Sequence, residues 1–243
     1  MRVPILMYHW FEGTGVGPTR GATFAINPTE FRRQMAWLAA SGMSPVSVSQ
    51  VLAALRDQAS LPPRPYAVTF DDGYEDFYEQ ALPVLRQHRI PATLYMVSGL
   101  VGKWNVWDER SGEPRRPLMG WARLRELVAA GIDIGSHSLS HPDLRTLGDD
   151  ELRHECEASR KQLEDGLGRK VTSFAYPFGF FDQRVKDAVR AAGYDGACAV
   201  LLRFRDMLRS DRFALMRPIV HASKSFANFR WRVRCAAPNH REN

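Results

Sequence analysis

The chain has 243 residues, enough to bury one sizeable core, and its 44% hydrophobic and 25% charged content excludes a disordered or fibrous protein. Its 33 basic against 27 acidic side chains leave a net charge of +6 that is spread along the chain, so an anionic partner is admitted while nucleic acid is not expected. Cys156, Cys198 and Cys235, odd in number and irregularly spaced, exclude a disulfide framework and a thiolate zinc knot and fit a reducing compartment.

The first element is VPILMYH at 3–9, a buried strand followed by the glycine-rich loop EGTGVGPTRG. This N-terminal stretch has one Arg and a short apolar run broken by Pro4, which makes neither a signal peptide nor a membrane span; a cytoplasmic chain without stable membrane insertion is expected. In NPTEFRRQMAWLAASG, Asn27 caps a helix, Pro28 takes the first helical position, Glu30 closes a capping box and Gly42 stops it. A short helix spans 50–56.

From Tyr66 the pattern alternates. Strands at 66–70, 92–97, 132–136, 171–176 and 194–200 are separated by helices near 76–88, 121–130, 149–167 and 182–192, and a weaker strand at 216–220 precedes a terminal helix at 225–233. The basic runs at 201–212 and 229–234 read as solvated helix faces. With no linker or internal repeat, residues 1–243 read as a single catalytic domain. About seven βα units favour an α/β fold with a closed or nearly closed parallel barrel.

Chemistry in such a barrel gathers where strands end. Those positions carry His9, Asp71 with Asp72, His137 with His141, the YPFG loop at 176–179, and His221. Asp71 and Asp72 have plainer roles open to them, an Asp-Gly turn or a helix cap. The i, i+4 spacing of His137 and His141 brings both imidazoles to one side if the chain turns helically there. Two His plus one Asp make a three-ligand set with an open position, as in catalytic metal sites, and the second Asp is then free to take a proton from an attacking water. The loop at 98–120 is long for a barrel connection, and its Trp104, Trp107 and Asp108 suit either a sugar-stacking surface or a local hydrophobic clasp.

TFDDGY followed some 65 residues later by HSLSH, together with GWARLRELVAAGIDIGSHS and FAYPFGFFD, resembles the polysaccharide deacetylase family, the NodB homology domain or carbohydrate esterase family 4. The resemblance implies a distorted (β/α)7 barrel that hydrolyses N-acetyl groups on an amino sugar or polysaccharide with one divalent metal, zinc foremost, although the same ligands accept Co, Ni, Mn or Fe. It implies Asp71 as general base and Asp72, His137 and His141 as metal ligands, with Tyr176, Pro177 and Phe178 either walls of the sugar groove or plain core; Tyr74 and Trp107 are further candidate sugar contacts. The Arg that many members carry two residues before the Pro is Ala175 here, so either another group orients the base or the base is freer. LMYHWF resembles a branch that includes deacetylases of β-1,6-linked N-acetylglucosamine polymers and makes His9 the general acid, with His221 as the alternative. Other readings are an O-acetyl esterase or a deformylase on a lipid-linked sugar, a non-haem iron enzyme, whose H-x-D spacing is missing, and a non-catalytic carbohydrate-binding protein.

Overall fold

The computed structural model describes residues 3–13, 24–57, 59–200, 211–220 and 225–236. The alternative acid His221 and the basic stretch 201–210 lie outside the described residues.

After β1 (Ile5–Tyr8) the chain forms a two-stranded parallel pair, β2 (Trp10–Phe11) with β3 (Ala25–Ile26), then α1 (Pro28–Ala40), β4 (Ser44–Pro45) and α2 (Val48–Asp57). The βα alternation follows: β5 (Pro65–Phe70), α3 (Leu82–His88), β6 (Ala92–Met96), α4 (Trp121–Ala129), β7 (Asp133–Ser136), α5 (Asp149–Leu167), β8 (Ser173–Ala175), α6 (Gln183–Ala191), β9 (Gly196–Val200), β10 (Leu215–Arg217) and α7 (Phe226–Ala236). The main sheet runs β1-β5-β6-β7-β8-β9-β10, every pairing parallel, with β4 on the start of β5. Helices cover such a sheet outside and side chains fill it inside, which is why β5, PYAVTF, is buried along its whole length.

Closure falls to one short contact. Pro218 has no N–H and ends regular β10 at Arg217, yet its carbonyl still accepts from Met7 N–H at 3.2 Å, and Val220 N–H donates to Met7 O at 3.0 Å. The parallel bridge Met7–Ile219 thereby joins the last strand to the first and makes a seven-stranded, nearly closed barrel, as expected.

Local chemistry accounts for the flanking helices. Asn27 Oδ1 accepts from Thr29 N–H at 2.9 Å, while the Glu30 carboxylate turns to Gln34 and Arg33 rather than back to the cap. The helix expected over 76–88 is two pieces, a wide π turn at Phe77–Ala81 and then α3, because Pro83 near the start of α3 cannot donate to the turn before it. Among the described residues no helix is long and apolar enough to cross a membrane.

Candidate active site

β5 ends in the turn that carries both carboxylates. Asp71 N–H still donates to Tyr8 O at 3.0 Å, the last hydrogen bond of the ladder. Asp72 and Gly73 then adopt left-handed backbone, φ 72° and 82°, and a Cβ on Gly73 would lie 2.1 Å from Met96 Sδ. The Gly is thus required twice over, by its φ and by the closeness of β6. The turn points the two neighbouring carboxylates to different partners.

Asp71 turns to the last strand. Arg217, fully buried, donates from Nη1 to Asp71 Oδ1 at 2.6 Å and from Nη2 to Oδ2 at 2.7 Å, and Nη1 also reaches Thr69 Oγ1 at 3.1 Å. Burial alone pushes the Asp71 carboxyl up, but the guanidinium, with His137 and His9, holds it below the usual carboxylate range. Arg217 is the orienting group that Ala175 cannot supply. Its sequence signal is one Arg inside MRPIV at 216–220, a weak strand by its pattern.

Asp72 turns to the two imidazoles. Its Oδ1 lies 3.3 Å from His137 Nε2 and 3.5 Å from His141 Nε2, and these ligand atoms all lie within 4.8 Å of one another, with all three residues buried. Ligands about 2.0–2.1 Å from a tetrahedral zinc sit roughly 3.3 Å apart, so the three residues fit a divalent ion. His137 Nδ1–H donates to Ala175 O at 2.7 Å, which leaves the Nε2 lone pair facing Asp72. Burial, aided by His137, pushes His141 down to about 3, so its imidazole is neutral at physiological pH, the state a ligand needs. Burial also disfavours charge on His137, but Asp72 and Asp71 outweigh it and raise that pKa. Against the burial penalty, the His137 hydrogen bond and both imidazoles hold the Asp72 carboxyl far below its usual range.

The stretch between the two His is not helical. Ser138 and His141 both take left-handed φ of 65°, and His141 N–H folds back onto Ser138 Oγ at 3.0 Å. Non-glycine residues in this region cost about 1–3 kcal/mol each, so the i, i+4 spacing converges through a strained bend instead of a helical turn.

These groups share a cavity of about 300 Å³ with His9, Tyr74, Trp107, Asp108 and Phe178. Half-buried His9 follows β1, its ring 4.6 Å from Phe24, and burial lowers its pKa despite Asp72 and Asp71 nearby. Trp107 stacks on His141 at 4.4 Å, and Phe178, with φ 58°, meets the same ring edge-on at 4.6 Å. Trp104 stays outside as a local clasp, its indole N–H on Glu109 and Arg115 over its ring. Tyr176 and Pro177 do not line the cavity. Tyr176 is fully buried, its hydroxyl donates to Phe213 O at 2.8 Å and its ring stacks on Phe181, so the inward position after β8 is used for the core.

Residues 58–197 match the profile described as "Polysaccharide deacetylase". Among curated proteins, the chain is 26% identical over 194 residues to YxkH of Bacillus subtilis (strain 168), covering 79% of this chain and 62% of that protein. It is 30% identical over 118 residues to the poly-beta-1,6-N-acetyl-D-glucosamine N-deacetylase of Escherichia coli (strain K12), covering 47% of this chain and 18% of that one. The chain therefore spans less than two thirds of the length of these relatives. Among solved structures, the Streptococcus pyogenes deacetylase PplD in complex with acetate superposes with a TM-score of 0.78 at 22% identity over 95% of this chain and 97% of that one. IcaB from Ammonifex degensii gives 0.74 at 23% identity over 97% of each. At that identity the two structures speak for the barrel alone, whereas the profile covers the DD turn and both histidines, and by it the chain belongs to the polysaccharide deacetylase family.

Proposed function

We propose that residues 1–243 act as one catalytic domain that hydrolyses the N-acetyl amide of an amino sugar within an acetylated glycan, releasing acetate and a free amine. The observation that carries this reading is the pairing of two carboxylates with opposite surroundings: Asp72 among buried imidazoles, and Asp71 beside it held by Arg217. In this reading Asp72, His137 and His141 hold one divalent cation, zinc foremost, which supplies Lewis-acid polarisation of the acetyl carbonyl and the attacking water.

The remaining steps belong to the chain. Asp71 takes the proton of the attacking water, and Arg217 keeps the carboxylate oriented while that proton arrives. As the amide C–N bond breaks, His9 gives a proton to the leaving nitrogen. Burial lowers the pKa of His9, so its imidazolium, the minority form at neutral pH, is the stronger acid for that transfer. Tyr74, Trp107 and Phe178 bound the cavity around the sugar. The name of the Escherichia coli relative suggests a β-1,6-linked N-acetylglucosamine polymer as the first substrate to try. Three free thiols at Cys156, Cys198 and Cys235 suit a reducing, cytoplasmic setting, which fractionation of the native protein tests.

The deciding experiment strips the protein of metal, reloads it with single divalent ions and measures acetate release from N-acetylated β-1,4 and β-1,6 oligosaccharides, with formate and ester release run in parallel. Acetate from an acetamido sugar, dependent on the ion, is expected. Asp72→Ala should lose both the ion and the activity. Release from O-acetyl or N-formyl substrates alone would replace this reading.

A further inference from the structure

We infer that Glu155 is a positioning residue of the metal site, a buried anion that holds the strained bend between His137 and His141 in its ligand-presenting shape; this rests on the metal reading above. Glu155 lies on α5, inside the stripe that α5 turns to the core with Leu152, Cys156, Ser159 and Leu163, and it is only 8% exposed. A carboxylate on that stripe needs partners, and it makes no ion pair among the described residues. Its oxygens go to the bend instead. Oε2 accepts from Leu139 N–H at 2.9 Å and Ser140 N–H at 3.0 Å, and Oε1 accepts from Ser140 Oγ–H at 2.5 Å.

The carbonyl side of the bend is tied separately. Ser138 O accepts from Ser98 N–H at 3.1 Å and Leu139 O from Gly99 N–H at 2.9 Å. With His137 N–H on Met96 O at 2.9 Å, the start of the bend is fixed by β6 and its following turn, and the middle by Glu155. HSLSH contains no glycine, so the left-handed positions at Ser138 and His141 have no intrinsic support. A charge-assisted clamp on the two amides between them supplies it. Without Glu155 the bend can relax, and His141 swings away while His137, on the strand end, stays in place.

The test is zinc affinity of the whole chain, stripped of metal and titrated against a competing chromophoric chelator, with thermal unfolding of the metal-free protein measured alongside. Glu155→Ala is expected to weaken zinc binding about 10- to 100-fold, the usual effect of removing a group that orients a ligand. Glu155→Gln, which keeps an acceptor oxygen without the charge, should fall between. Glu164→Ala is the control, because Glu164 on the same helix accepts from Val171 N–H at 3.0 Å far from the bend; it should lower the melting temperature and leave zinc affinity unchanged. Zinc affinity within twofold of wild type in Glu155→Ala, or an equal loss in Glu164→Ala, overturns the proposal. Should the Ala variant fail to fold, the Gln variant decides by the same criterion. A wild-type chain that takes up no zinc removes the metal reading itself, a result separate from any effect of the variants.

Discussion

Arg217 and Asp71 show at the level of single residues what a buried charge needs around it. Each alone in the barrel would face a desolvation penalty of several kcal/mol, and the two short parallel hydrogen bonds between them counter that penalty. Removing one partner leaves the other charge stranded. Arg217→Ala is expected to cost about 3–5 kcal/mol in denaturant unfolding, and Arg217→Lys, which keeps the charge but loses the fork, should fold yet turn over more slowly. Asp71→Asn removes the base and keeps one acceptor oxygen for Arg217, whose buried charge loses its counter-ion, so a stability loss accompanies the catalytic one. Metal content should stay at the wild-type level while kcat for acetate release drops roughly 100- to 10,000-fold, the usual worth of general acid–base catalysis. An unchanged kcat would return Asp71 to the plain turn role open to it in sequence.

At the level of elements, the connections after β5 and β7 do the positioning, and both use left-handed backbone. The β5 turn has its glycine. Gly73→Ala should destabilise the fold by about 1–3 kcal/mol from backbone strain, with a further loss because Met96, fully buried, has no room to yield to a Cβ. Zinc uptake should weaken in the same variant, since Asp72 shares the turn. The π turn after it starts from Asp76, whose Oδ2 accepts from Phe11 N–H at 2.8 Å while Oδ1 is buried without a hydrogen bond among the described residues. Burial outweighs both that bond and the charge of Arg116 and pushes the Asp76 carboxyl up to about 7. A folded pKa above the ordinary value means the protonated form stabilises the fold, fully below about pH 4, with that stability lost as pH rises through 7. Asp76→Asn keeps an acceptor for Phe11 and cannot ionise. Its stability relative to wild type should therefore rise between pH 4 and 7 and level off above, by at most about 4 kcal/mol at 1.36 kcal/mol per pKa unit. Parallel urea titrations across that range check the slope, and a flat difference would contradict it.

For the whole molecule, the barrel joins parts of the chain that are distant in sequence into one site. His9 follows the first strand, Asp71 and Asp72 follow the next along the sheet, His137 and His141 lie in the bend after β7, and Arg217 ends the last strand. The profile match at 58–197 includes neither His9 nor Arg217. Both ends of the chain therefore supply groups to the site, and the Met7–Ile219 bridge that closes the barrel also brings β1 and the end of β10 side by side. Helix α7 packs Phe229 and Val233, both buried, close to this seam, beside Gln34 of α1.

The amino-acid sequence alone determined the alternation of strands and helices, the strand-end location of the ionisable residues and the DD and HSLSH pair, because periodicity, caps and turn residues act over a few neighbours. The family resemblance, set beside it, marked the arginine missing at Ala175. Tertiary structure alone decided which group replaces it, since Asp71 and Arg217 are 146 residues apart and meet only when the barrel closes. The same holds for the bend at Ser138 and His141, where local preference argues against left-handed backbone and contacts from α5 and the turn after β6 prevail. Tyr176 went the other way. Its place after a strand is written in the sequence, but which way the ring faces depends on the packing of Phe181 and the Phe213 carbonyl around it. Local chemistry sets the elements; the sites where they converge depend on side chains whose partners lie a whole barrel away.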